Sequence, residues 1–121
     1  MKKYVLIVSH GSREVSANQD FKKLVQKYKR KHPNWVIAHA FLELAEPSIP
    51  KALEILAKNS EEIAVLPLFL FAAKHVKNHI PELIKTFRKN HPQIKVTLGK
   101  PLGSDEKLLV ILDQRLQQIS K

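Results

Sequence analysis

The stretch Tyr4-Val5-Leu6-Ile7-Val8-Ser9-His10-Gly11-Ser12-Arg13 decides how the rest of the chain is read. An apolar, β-branched run stops abruptly at a polar cluster built around a glycine. The run is too short for the hydrophobic segment of a secretory leader and far too short to span a membrane. It reads instead as a buried strand that discharges into a tight turn: Gly11 permits the turn, and His10 projects from the strand's carboxyl end.

Three further runs of the same character follow, Trp35 to Leu42, Ile63 to Leu70 and Ile94 to Leu98. None alternates cleanly between polar and apolar residues, which predicts strands buried on both faces. The segments between them carry helical spacing: Phe21, Leu24, Val25 and Tyr28; then Ile49, Ala52, Leu53 and Leu56; then Ile80, Leu83, Ile84 and Phe87. A last helix, from about Asp105 to Ile119, places Leu108, Leu112, Leu116 and Ile119 on one stripe. His32-Pro33 and His91-Pro92 stop helices, and Ser48 and Ser104 are expected N-caps. The order β-α-β-α-β-α-β-α folds through right-handed crossovers into an α/β, flavodoxin-like, four-stranded parallel sheet with helices on both faces. One domain over residues 1–121 is expected, since a chain of 121 residues fits a single core.

Composition narrows the chemistry. The chain has no cysteine, so disulfides and thiolate metal sites are excluded and any metal must be held by imidazole, carboxylate or water. With 21 basic and 11 acidic residues the formal charge is +10, which favours an anionic partner or simply a solvated basic surface. Much of it lies in one segment, at Lys22, Lys23, Lys27, Lys29, Arg30 and Lys31, opposite the apolar face of the first helix. A cytoplasmic protein without a membrane anchor is expected.

In a parallel sheet the carboxyl ends of all strands gather at one rim, where ligands bind. The first strand delivers His10 there. The second delivers Glu43 and Glu46, from Phe41-Leu42-Glu43-Leu44-Ala45-Glu46-Pro47-Ser48; Glu43 interrupts an apolar run, whereas Glu46 also has a plain role ahead of a helix N-terminus. The third passes through Pro67 into Leu68-Phe69-Leu70-Phe71-Ala72-Ala73-Lys74-His75, an apolar loop suited to a flat hydrophobic ligand or to a partner chain. His10, Glu43 and His75 thus share a rim able to bind and release a divalent metal. His79 follows His75 by one helical turn and could share its face, while His39 sits within a strand as a core residue.

These residues resemble the small sirohydrochlorin chelatases of the class II family, the CbiX type. The likeness spans nearly the whole chain and is carried by Val8-Ser9-His10-Gly11-Ser12-Arg13, by Ala40-Phe41-Leu42-Glu43-Leu44-Ala45-Glu46-Pro47-Ser48-Ile49, by Pro67-Leu68-Phe69-Leu70-Phe71-Ala72-Ala73-Lys74-His75-Val76, and by Ile80-Pro81. The resemblance implies insertion of a divalent metal into sirohydrochlorin, with cobalt, nickel or iron as substrate and no tightly bound cofactor. It implies His10 as proton acceptor and metal ligand, and His75 as second ligand. Glu43 matches a carboxylate beside the metal-binding histidines of longer relatives. Glu46 and the stretch Leu70, Phe71, Ala72, Ala73, Lys74 and His75 would contact the macrocycle, with Arg13 and Lys74 holding its carboxylates. Longer relatives contain two such domains facing each other across a cleft, which implies a homodimer here. The chain departs from the family at Ala73, where Gly is common, and at His79, where Asp is usual.

Two other readings compete. Ser9-His10-Gly11 at a strand end is similar to the nucleophilic turn of the histidine phosphatases, but that family has Arg directly before the histidine. The charge alone motivates a nucleic-acid-binding module, and no recognisable DNA- or RNA-binding motif accompanies it.

Overall fold

The computed structural model describes residues 2–71 and 73–120, with the side chain of His75 outside the described set. Four strands, β1 (Tyr4–Ser9), β2 (Val36–Phe41), β3 (Glu62–Pro67) and β4 (Lys95–Leu98), form one parallel sheet in the order β2-β1-β3-β4. The helices are α1 (Val15–Lys31), α2 (Ile49–Ala57), α3 (Lys74–Asn90) and α4 (Lys107–Ile119). β1 lies inside the sheet, paired from Tyr4–Val36 to Ser9–Phe41 on one side and from Val5–Ala64 to Val8–Pro67 on the other. Its near-continuous apolar sequence follows from that position, because both of its faces and both of its edges are covered. The chain leaves β1 towards β2 and then returns past it to β3, so the crevice where the strand order reverses opens at the carboxyl end of β1.

Two apolar layers hold the sheet. On one face α2 and α3 bury Ile49, Leu53, Ile84 and Phe87 against Leu6, Val8, Ala40, Val65 and Val96. On the other, Phe21 and Val25 of α1 pack on Val5, Ile7, Ile37 and Phe41, with the Phe21 and Phe41 rings edge to face at 5.4 Å. Each fully buried side chain of this size contributes roughly 1.5–3 kcal/mol. The expected stops are present. α1 ends at His32, whose ring stacks on Trp35 at 3.7 Å, and α3 ends at His91, which stacks on Phe87 and reaches Glu54 of α2 at 2.8 Å. Ser48 caps α2, its hydroxyl accepting from the Lys51 N–H at 3.3 Å. Among the described residues no helix is long and apolar enough to cross a membrane.

The structure corrects four expectations. Ser104 is not an N-cap: α4 begins at Lys107, and the turn before it is held by the Asp105 carboxylate, which accepts from the Lys107 N–H at 2.9 Å. β3 stops at Pro67 rather than running to Leu70, although the Leu68 N–H still reaches the Val8 carbonyl at 2.7 Å. β4 is not buried on both faces, for only Val96 of its four residues is covered. Finally, α4 has no buried residue; Leu112 and Leu116 are 63% and 59% exposed, and Leu24, on the apolar stripe expected for α1, is half exposed. Apolar spacing reports that a stripe needs cover and is silent about what supplies it.

His39 lies half-buried on β2, its ring edge to face with Phe21 at 6.1 Å and Phe41 at 5.8 Å. Burial holds its pKa below the ordinary imidazole value, and Lys22 and Lys29 push the same way. The unfolded chain therefore takes up this proton more readily than the folded one, so stability falls as the pH drops below the unfolded value near 6.5. His39→Gln is expected to flatten the decline in urea midpoint between about pH 7 and pH 5, measured beside the parent protein.

Candidate metal site

β1 ends at Ser9, and the next residues form the rim. Gly11 has φ +94°, and a Cβ there would lie 1.8 Å from the Glu43 carbonyl oxygen. Only glycine fits, because its missing side chain lets the turn after β1 lie directly against the turn after β2. Two backbone bonds continue the β1–β2 ladder past the strand ends: Leu42 N–H to Ser9 at 2.8 Å and Glu43 N–H to His10 at 3.1 Å. The chain then swings outward through Leu44 at φ +66° and returns where the Phe41 N–H meets the Pro47 carbonyl at 2.9 Å. A further clamp fixes the first turn. Asn18 of α1 accepts from the Ser12 N–H at 3.0 Å and donates to the Ser12 carbonyl at 2.8 Å.

These constraints bring His10 Nε2 to 3.2 Å from Glu43 Oε1, with the two side chains 45% and 56% exposed. The other ring nitrogen, Nδ1, is 3.1 Å from the Gly11 carbonyl oxygen. A carbonyl has no proton to give, so this hydrogen bond assigns a proton to Nδ1 and leaves Nε2 as the variable position. A bare lone pair facing a carboxylate oxygen is repulsive, so the pair calls for a proton or a cation between its donors. A first-row metal about 2.1 Å from both atoms would subtend an angle of roughly 100° across the 3.2 Å separation, within the range of tetrahedral and octahedral centres. The pair thus presents one imidazole nitrogen and one carboxylate oxygen to the same point of the rim.

The loop after β3 forms the third side. Phe69 sets its ring edge to face with His10 at 6.4 Å. Leu70 and Phe71 are 51% and 81% exposed, and Leu44 from the second turn is exposed as well. Ala73 is the N-cap residue of α3, Lys74 is its first residue, and both are exposed. The backbone of His75 lies in the first turn of α3, while its side chain and all of Ala72 fall outside the described residues. Among the described residues no group of three or more potential ligands is assembled. Arg13 and Glu46 are exposed at the same rim, and His79 is exposed one turn further along α3. Neither the Asn18 clamp nor the Phe69 contact was foreseen from sequence. Asn18 reads as one more polar residue on a solvated helix, and Phe69 as one of several apolar residues in a loop.

The fold and the site are thus those of a parallel α/β sheet whose rim offers a histidine–carboxylate pair beside exposed apolar side chains. The CbiX family model matches residues 4–119, and the chain belongs to the CbiX family. It is 36% identical to the sirohydrochlorin ferrochelatase of Bacillus subtilis (strain 168), the match covering 98% of this chain and 46% of that one. It is 31% identical to the sirohydrochlorin cobaltochelatase of Sulfurisphaera tokodaii, over 95% of this chain and 92% of that one. Among solved structures, the sirohydrochlorin chelatase SirB of Bacillus subtilis subspecies spizizenii in complex with cobalt superimposes with a TM-score of 0.89 at 37% identity, covering 98% of this chain and 51% of SirB. The chain thus spans about half the length of its Bacillus relatives. Neither the phosphoryl-transfer reading nor the nucleic-acid reading gains support from these likenesses.

Gly11→Ala must push the second turn away from the first. The variant is expected to lose more than about 1 kcal/mol of unfolding free energy in urea. It should also bind cobalt(II) more weakly than the parent in a calorimetric titration, because the 3.2 Å pair opens.

Proposed function

We propose that this chain inserts a divalent metal ion, cobalt or iron as in the names of its relatives or nickel by the same donor chemistry, into sirohydrochlorin. The His10–Glu43 pair at 3.2 Å beside an exposed apolar loop, in a chain of the CbiX family, carries the reading. Insertion exchanges two pyrrole protons for one ion: the metal enters as M²⁺, the macrocycle gives up two protons, and the metal-bound ring leaves.

His10 Nε2 and Glu43 Oε1 are the groups positioned for that exchange. With Nδ1 held on the Gly11 carbonyl, Nε2 offers its lone pair to the incoming ion while Glu43 compensates its charge. When the ion passes to the ring, a first pyrrole proton takes its place between the same two atoms and is passed to solvent by the exposed carboxylate, and the second pyrrole proton then leaves by the same pair to solvent. His75, from the start of α3, is proposed as the second imidazole. Leu70 and Phe71 pack on the face of the macrocycle, with Ala72 and Ala73 completing the loop against it. Arg13 and Lys74 pair with its carboxylates, and Glu46 borders it from the second turn. The surplus of positive charge draws the carboxylate-rich ring from solution. The chain acts in the cytoplasm as one domain paired with a second copy, with no nucleic acid or membrane among its partners.

The assay mixes protein, sirohydrochlorin and one metal at a time, and follows the macrocycle's absorption against a blank without protein. His10→Ala is expected to abolish insertion with unchanged circular dichroism, since the side chain is half exposed and outside the core. Glu43→Gln should lower kcat by about 100-fold, as loss of a positioned proton acceptor does. Arg13→Gln and Lys74→Gln should raise KM and leave kcat near that of the parent. Full insertion by His10→Ala overturns the assignment.

A further inference from the structure

Gly11 lets the first turn lie against the second, and the same freedom leaves the peptide that follows it free to turn over, because no Cβ opposes rotation on the glycine side. The orientation of that Gly11–Ser12 peptide decides what His10 can do. Its carbonyl oxygen lies 3.1 Å from His10 Nδ1. Turned over, the same plane would present the Ser12 N–H to that nitrogen instead.

The two orientations call for opposite placements of the ring proton. A carbonyl facing Nδ1 accepts from a proton held there and leaves Nε2 as the exchangeable position, open to an ion. An N–H facing Nδ1 needs a lone pair on that side, so the proton moves to Nε2 and is held by Glu43 Oε1, 3.2 Å away. The first arrangement offers a ligand at the rim; the second closes it.

Asn18 of α1 grips this peptide. The Gly11–Ser12 bond is trans, so its N–H points away from its carbonyl. That N–H donates to Asn18 Oδ1 at 3.0 Å. The next peptide is held too, since Asn18 Nδ2 donates to the Ser12 carbonyl at 2.8 Å. The amide of Asn18 can face only this way, because an N–H only donates and a carbonyl only accepts. One bond would let the plane swing about it, whereas two bonds from a side chain rooted in a helix hold it still. The bonds also run in series through one polarised peptide group, Asn18 Oδ1 to the Ser12 N–H on one side and the Gly11 carbonyl to His10 Nδ1 on the other.

We propose that Asn18 is a positioning residue for the metal site: by fixing the Gly11–Ser12 peptide it keeps the ring proton of His10 on Nδ1 and so keeps Nε2 open to the ion. The inference rests on the reading of His10 as a metal ligand and adds to it a residue that acts through the turn.

The test uses zinc(II) alone as a diamagnetic probe, with no macrocycle present, and protein labelled with nitrogen-15 in histidine. Heat and signals absent from His10→Ala are those of His10. In the zinc-loaded parent, long-range proton–nitrogen spectra should show the ion on Nε2 and a persistent proton on Nδ1. Asn18→Leu is close to asparagine in size and makes neither bond. It is expected to bind zinc about 10- to 100-fold more weakly at unchanged circular dichroism, as loss of a partner behind a ligand does, and to lose the persistent Nδ1 proton. Asn18→Asp keeps an acceptor for the Ser12 N–H, so it should retain that proton and bind zinc more nearly as the parent does. Should Asn18→Leu not fold, Asn18→Ala removes both bonds with less bulk and is read in the same way. Parent-like zinc binding in the variant without the bonds overturns the proposal. So does an Nδ1 proton that persists there whatever the affinity, which would leave Asn18 a holder of the turn and nothing more, or one that Asn18→Asp loses. In all these outcomes the parent's insertion of metal into sirohydrochlorin stands. A parent that shows no zinc heat or signal dependent on His10 removes the ligand reading itself, and this inference with it.

Discussion

The Glu43 carbonyl oxygen occupies the space in which a side chain at position 11 would begin. Two turns that leave adjacent parallel strands ordinarily diverge, because each must carry its chain to a different helix. Here a hydrogen in place of a Cβ lets them touch, and the touching turns set the imidazole of one against the carboxylate of the other. The rest of the molecule serves this contact. The β1–β2 register brings Ser9 and Phe41 level, the backbone bonds of Leu42 and Glu43 extend that register, and Asn18 ties the first turn to α1. The buried Phe21–Phe41 contact in turn fixes α1 on the sheet. A polar pair that is half exposed at a rim gains little from its own attraction. Its geometry comes from the apolar layers beneath it.

How far this was legible in the sequence depends on the range of the interaction concerned. The β1 run and its sudden end at Ser9-His10-Gly11 are local, and they identified a buried strand and a tight turn that glycine permits. Helical spacing found α2 and α3, since both bury the stripes their sequences carry. His10 and Glu43 were recoverable because a parallel sheet sends every carboxyl end to one rim, and order alone places them there. The contact between Gly11 and the Glu43 carbonyl, by contrast, was invisible as a contact. A glycine announces freedom of backbone and does not say what will approach it. Asn18 and Phe69 were missed because their partners are set by tertiary distances of a few ångström, which no spacing rule encodes. Ser104 has the right chemistry for a cap and the wrong position, as Asp105 holds the turn in its stead.

The two faces of the sheet are unequal, and the inequality has a cause in chain direction. After β2 the chain crosses back over one face twice, laying down α2 and α3, so that face is closed by consecutive elements of the same chain. The other face receives α1 alone, near β2 and β1. Over β3 it keeps the apolar residue Leu66 on the floor of an open groove.

That open face also meets the rim. Leu102, in the linker to α4, donates to the carbonyl of Phe69, and the Phe69 ring stands at the edge of His10. The path from the last helix to the His10 imidazole thus runs through one hydrogen bond and one aromatic contact, with Leu68 lining the groove one residue before Phe69. The loop after β3 therefore serves both places, because Leu68 lines the groove and the next residue, Phe69, sets its ring against His10 at the rim.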